Sequence, residues 1–258
     1  VPVMQKILSL LRRCVEDYDM IQAGDRVAVG VSGGKDSLTL LVALARLSVF
    51  YPKPFTVEAF TLDMGHVDGG AGMDFSHVAE LCGELGVPYT LLHSEIHHII
   101  FDLRKEKNPC SMCAKMRRGA LHNAIRERGI TKIALGHHFD DAVETFFLSL
   151  FYEGRISCFQ PVTYLDRMGI TQIRPMLYCG EWMLRKAAER EHLPVVFNPC
   201  PADGYTKRQE VKELIHSLSK EYPDLREKVF SAMQRLPLPA WEPQDHRRRP
   251  LADDGREE

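Results

Sequence analysis

The sequence predicts an α/β fold: a doubly wound parallel sheet followed by a helical C-terminal extension. Short valine-rich runs alternate with amphipathic stretches over the first two thirds of the chain, and strand signals fade after about residue 200. A serine- and glycine-rich turn sits between the first apolar run and the helix after it, where open α/β sheets bind ligands. The length of 258 residues fits one large domain with a small appendage.

The first twenty residues set Ile7, Leu8, Leu10, Leu11 and Val15 among charges at amphipathic spacing, so the chain opens with a helix. Residues 26–31, RVAVGV, read as a buried first strand, and residues 37–47 turn helical after the glycines. Residues 55–62 are the second strand, 73–85 a helix ended by Gly86, and 87–92 the third strand. A helix over 112–128 is closed by Gly129, residues 132–135 form the fourth strand, and 140–152 form an apolar, aromatic helix. A short fifth strand ends near Arg174-Pro175, residues 181–191 are helical, and 195–197 are extended. Two amphipathic helices over 206–220 and 223–235 follow. The expected division is a nucleotide-binding unit over 1–199, the helical extension over 200–236 and a disordered, proline- and charge-rich tail over 237–258.

Composition narrows the function class. With 45% hydrophobic and 26% charged residues and a net charge of −2, this is an ordinary globular chain without global attraction to nucleic acid. The apolar run at 38–45 is cut by Arg46, far short of the ~20 residues that span a bilayer, and no secretory leader is recognisable. A cytoplasmic protein without a membrane partner is expected. Seven cysteines are too few for a disulfide scaffold and odd in number, which in a reducing compartment turns the question to metal or catalysis.

Ser32-Gly33-Gly34-Lys35-Asp36-Ser37 lies between strand and helix. The glycines permit a positive φ, the new helix directs free N–H groups at an anion, and Lys35 and the serines add donors. Asp36 stands where a Walker A loop needs Ser or Thr, so that motif is excluded. An aspartate inside a phosphate cradle repels its ligand unless a cation intervenes, which implies a divalent ion, most simply Mg²⁺. After the fourth strand, Gly136-His137-His138-Phe139-Asp140-Asp141 sets two histidines and two carboxylates at the same edge of the sheet. Asp140 and Asp141 also serve as acidic residues at a helix start, with or without a ligand.

VSGGKDS resembles the signature of the PP-loop ATP pyrophosphatase family, which has a Rossmann-like fold, and the GHxxDD segment is similar to one lying beside ATP there. The resemblance implies adenylation: Ser32, Gly33, Gly34, Lys35, Asp36, Ser37, Gly136 and His137 hold ATP, and Lys35, Asp36 and Asp141 act in catalysis. Asp36 and Asp141, with help from Asp140, would hold magnesium.

Cys110 and Cys113 form a CxxC at the mouth of a basic helix, and Cys200 stands alone in Asn198-Pro199-Cys200-Pro201. Three cysteines suit a redox pair, an incomplete zinc site, or a cluster that leaves one iron open. SGGKDS, PCSMCAKMRRG, GHHFDDAVET and a late single cysteine, in this order, are similar to the 2-thiocytidine-forming tRNA thiolases within the family. That likeness implies a [4Fe–4S] cluster on Cys110, Cys113 and Cys200, and ATP-dependent replacement of a base C2 oxygen by sulfur, with cytidine in the anticodon loop favoured. It differs from the bacterial pattern around Cys200 and at Val143-Glu144. The alternatives are persulfide transfer by Cys113 or Cys200, or an ATP-binding module without base chemistry. Cys14, Cys82, Cys158 and Cys179 read as structural.

Eight basic against two acidic residues between Arg104 and Arg128 make a local phosphate track, with Lys115, Arg117 and Arg118 expected to contact RNA. A solvated helix face is the bland alternative. Arg185, Lys186 and Arg190 offer a second contact, and Phe139, Phe146, Phe151 and Tyr152 are candidates either for base stacking or for the helix core. The expected partners are tRNA, a sulfur donor such as a cysteine desulfurase or sulfide, and a second copy in a homodimer.

Overall fold

The computed structural model describes residues 2–65, 73–104, 109–196 and 207–235, without the side chains of 109–111. Cys200 and its neighbours, the side chain of Cys110, Lys105, Lys107 and the tail from 236 lie outside the described residues.

Six strands form one sheet in the order β3-β2-β1-β4-β6-β5. These are β1 (Arg26–Gly30), β2 (Thr56–Asp63), β3 (Tyr89–His93), β4 (Lys132–Ala134), β5 (Val162–Leu165) and β6 (Ile170–Ile173). The first four and β6 run parallel, with Val27 opposite both Val57 and Lys132. The doubly wound parallel sheet carries one antiparallel edge, where β5 and β6 form a hairpin turned at Gly169 with φ +64°. Strand β5 is only partly buried and four residues long, so it lacks the continuous apolar run that marks an interior strand.

Helix α2 (Lys35–Phe50) is apolar nearly all round because it lies between the sheet and two further helices, α1 (Val3–Asp17) and α6 (Glu181–Arg190). Helix α1 buries one stripe, Met4, Ile7, Leu11, Cys14 and Val15. Helices α3 (Ser76–Glu84), α4 (Pro109–Glu127) and α5 (Phe139–Leu148) complete the crossovers. Where one helix was expected over 140–152, α5 ends at Leu148 and continues as a π-helical turn, Ser149–Glu153, closed by Gly154 at φ +62°. A second π-helical turn, His98–Leu103, precedes α4.

Helices α7 (Lys207–Glu221) and α8 (Leu225–Arg235) pack on α5, and Val211, Ile215, Phe230 and Met233 join the main core. A buried polar knot ties α8 to α1. The Tyr178 hydroxyl donates to Asp17 at 3.0 Å, and the Gln234 amide donates to Tyr18 and Tyr178 at 3.0 and 3.3 Å. Among the described residues no helix is long and apolar enough to cross a membrane.

Candidate active site at the switch point of the sheet

Strand order reverses between β1 and β4, so the loops after these strands diverge and leave a crevice at their carboxyl ends. The first of them, Ser32 to Ser37, leads into α2. Gly33 has φ +83°, and a Cβ there would lie 2.9 Å from Val196, so the position admits glycine alone. Val196 N–H donates to the Gly33 carbonyl at 2.9 Å, strapping the loop from outside. Inside it, Ser32 N–H donates to Ser37 Oγ at 3.1 Å, and that hydroxyl donates to the Gly34 carbonyl at 2.9 Å. The serines therefore shape the cradle, and the first turn of α2 presents Lys35 and Asp36.

Lys35 is held by Asp36 at 3.1 Å and Glu181 at 3.3 Å. Burial pushes the Glu181 carboxyl up, but its pairs with Lys212 (2.7 Å) and Lys35 outweigh that and bring it down to about 2. Glu181 thus stays ionised and fixes the loop lysine. One oxygen of Asp36, Oδ1, is buried without a partner among the described residues.

The second loop presses against the first: a Cβ on Gly136 would stand 3.3 Å from the Ser37 nitrogen. His138 begins α5 in a reciprocal cap, its N–H donating to Asp141 Oδ2 at 3.0 Å. Its ring Nε2 lies 3.4 Å from Asp141 and 4.0 Å from Asp36, so the imidazole joins the two carboxylates expected to act together. Asp140 accepts from Glu181 N–H at 2.7 Å, capping α6, is paired with Arg226 of α8, and lies 3.9 Å from His138 Nδ1, on the ring that also meets Asp141. Arg208 of α7 supports Glu144 at 3.2 Å, Thr145 at 3.0 Å and Asp141 at 3.6 Å.

His137 lies 4.8 Å from the Phe159 ring, whose centre is 5.0 Å from the Arg174 guanidinium. Burial first, and Arg174 second, lower His137 to about 4, so it is neutral near pH 7. Arg174 is 6% exposed and, among the described residues, its guanidinium donates to neutral groups, Gln160, Thr163 and Gln172. Sequence reasoning missed Glu181, Arg208 and Arg226 and ranked His138 low. Their charges stand in unremarkable amphipathic helices, and only the packing of α7 and α8 on α5, and of α6 beside α2, reveals the role.

A cavity of about 250 Å³ opens beside the phosphate loop, walled by Ser32 and Gly34, by Phe60 within β2 and Met64 just after it, by His97, and by Cys113 and Arg117 of α4. Arg117 interacts electrostatically with Cys113, placing a cation by that thiol. Lys115, Arg117 and Arg118 are all exposed along α4. Burial pushes the other thiols up, Cys82 to about 11 and Cys158 and Cys179 to about 12, and Cys14 well above its usual value, as inert packing requires.

A cradle of this geometry facing a GHHFDD helix is matched at family level, since residues 3–218 fit the PP-loop domain. The chain belongs to the PP-loop family. It is 37% identical over 237 residues to the tRNA-cytidine(32) 2-sulfurtransferase of Haemophilus ducreyi, a match covering 90% of this chain and 74% of that protein. The enzyme of the same name from Aliivibrio fischeri is 36% identical over 236 residues, covering 91% and 76%. The U34-tRNA thiolase NcsA from Methanococcus maripaludis, solved with its [4Fe–4S] cluster, shares the fold. Its TM-score is 0.73 at 24% identity, over 91% of this chain and 78% of that one.

In this PP-loop protein two implied groups meet residues that suit them. Asp36 and Asp141 are hard oxygen donors brought together at His138, and the unpartnered Asp36 Oδ1 is the kind of desolvated carboxylate oxygen that a magnesium ion satisfies. Cys113 lines the cavity with the Arg117 guanidinium beside it, and that cation favours a metal-binding thiolate. Among the described residues no group of three metal-ligating side chains occurs. Val196, four residues before Cys200, lines the same cavity.

Proposed function

We propose that this protein is an ATP-dependent tRNA sulfurtransferase that adenylates the C2 oxygen of a cytidine in the anticodon loop and replaces it with sulfur. The observation that carries this reading is the shared cavity: the phosphate loop and Cys113 wall one chamber, so the activated oxygen and the sulfur source meet across it. The names of the curated relatives support the substrate class.

The N–H groups of residues 33–37 hold the pyrophosphate end of ATP at the start of α2. Lys35, held at rest by Glu181 and Asp36, turns to the phosphate oxygens and offsets charge building on the leaving pyrophosphate, and Asp36 and Asp141 would hold a magnesium ion supplying further charge compensation there. Oxygen O2 of the base attacks the α-phosphorus and pyrophosphate departs. That converts a poor leaving group into AMP. Cys110, Cys113 and Cys200 would hold a [4Fe–4S] cluster, whose chemistry there would be to present sulfur to the activated C2 carbon. The net change at the base is one C2–O bond broken, one C2–S bond formed and AMP released with the oxygen. Arg117 keeps the Cys113 side of the chamber positive, and sulfide renews the sulfur directly; persulfide from a cysteine desulfurase would need a two-electron thiol reductant to reach the same level.

The test is an anaerobic absorption spectrum with iron analysis on the wild type and Cys113→Ala. About four irons per chain with absorption in the blue, lost in the variant together with tRNA thiolation, is the expected result. Thiolation by an iron-free protein would overturn the cluster route and favour a cysteine persulfide.

A further inference from the structure

We propose that the π-helical turn after α5 seats unpaired bases of the RNA substrate, with Phe151 as the stacking platform; this rests on the tRNA-modifying reading above. Leu150, Phe151, Tyr152 and Ile156 are 39, 50, 51 and 58% exposed, four large apolar side chains within seven residues of one another. A contiguous cluster of exposed apolar side chains, unlike single ones scattered over a surface, marks a contact site.

The patch is rigid. Phe151 lies parallel on Phe147 with ring centres 5.4 Å apart and planes at 28°, and Phe147 packs on the core. The Tyr152 hydroxyl donates to Glu210 at 2.8 Å, and the Lys207 ammonium sits 5.3 Å from the tyrosine ring. Arg155 N–H closes the turn on the Ser149 carbonyl at 3.1 Å. A pre-ordered aromatic face takes a base without first losing side-chain entropy. A π-helical turn also forgoes regular helical hydrogen bonding, a cost met mostly at functional positions.

Its position fits a substrate loop that also reaches the active site. Asp141 and Phe151 are ten residues apart on one continuous helical stretch, about 15 Å at 1.5 Å per residue, or roughly four stacked nucleotide steps. Beyond the turn the chain runs into Phe159, held between His137 and Arg174. Exposed Arg155 and Lys207 flank the aromatics, and Lys115, Arg117 and Arg118 line α4. Arg174 has only neutral hydrogen-bond partners among the described residues. Glu153 and Glu210 are the acidic neighbours, and Glu210 is spent on Lys207 at 3.0 Å. Aromatic faces with cationic flanks recognise single-stranded nucleic acid through bases and phosphates together.

The experiment compares full-length wild type, Phe151→Ala, Phe151→Tyr, Arg155→Gln and, as a control, Val49→Ser, an 85% exposed position on α2. Affinity for an unmodified tRNA transcript is measured by filter binding, ATP affinity by calorimetry, and oligomeric state by sedimentation. Phe151→Ala is expected to weaken tRNA binding roughly ten-fold or more, with tyrosine restoring it, since stacking tolerates any aromatic ring. Arg155→Gln should lower the salt dependence of binding by about one phosphate contact, and Val49→Ser should match the wild type. Wild-type affinity in Phe151→Ala, or a change confined to its oligomeric state, would overturn the proposal while leaving the tRNA reading intact. Failure of the wild type itself to bind tRNA while binding ATP would instead remove the reading beneath it. Phe151→Ala protein that loses ATP binding as well is misfolded, and Arg155→Gln then decides.

Discussion

His137 is a titratable group of the second loop whose burial changes its behaviour near neutral pH. Its folded value near 4 lies below the ordinary 6.5, so between those pH values the unfolded chain holds a proton that the folded chain does not. Stability therefore falls as the pH drops from about 6.5 towards 4, by about 1–3 kcal/mol at 1.36 kcal/mol per unit, and is whole above that window. Urea midpoints at pH 7, 5.5 and 4.5 should decline more steeply for wild type than for His137→Gln. Equal slopes would show that the ring takes its proton as readily folded as unfolded. The phosphate loop carries the other residue-scale lesson. Lys35 and Asp36 are adjacent and their chemistry could be read directly, whereas Glu181, which holds Lys35, is 146 positions away and carried no local sign of that task.

Helix α8 shows how an element apart from the crevice secures it. Arg226 is the charge partner of Asp140, which is 6% exposed and caps α6, so removing the guanidinium leaves a buried carboxylate unpaired. Arg226→Met is expected to cost about 3–5 kcal/mol, and pairing it with Asp140→Asn should return most of that. Guanidinium-chloride unfolding of the four proteins of the cycle measures it. Additive losses would mean that the two residues do not act as a pair. The element boundaries were legible where capping or glycine chemistry marks them, as at Gly86 and Gly129, both with positive φ. They were not legible at Leu148, because Ser149 to Glu153 is as apolar as the helix before it, and the change to π-helical winding has no compositional mark.

At the scale of the molecule, the C-terminal helices do more than extend the fold. Phe230 and Met233 fill the main core, Arg208 braces Glu144 and Asp141, and Gln234 closes the knot with Tyr18 and Tyr178. We propose that α7 and α8 belong to the catalytic unit. A chain ending ahead of Lys207 should lose cooperative thermal unfolding and ATP binding together, measured by circular dichroism and calorimetry. A truncated chain that melts sharply and binds ATP would restore the picture of a separable appendage. By itself the sequence determined the α/β class, the phosphate loop after β1 and the carboxylates after β4, because each is written in contiguous residues whose backbone and charge requirements are local. Tertiary structure alone decided that His138 joins Asp36 to Asp141, that Cys113 shares a cavity with the loop, and that Asp140 belongs to Arg226. Those pairings join residues up to 102 positions apart, and no local propensity encodes them: the packing of buried helices on a twisted sheet sets which distant side chains meet.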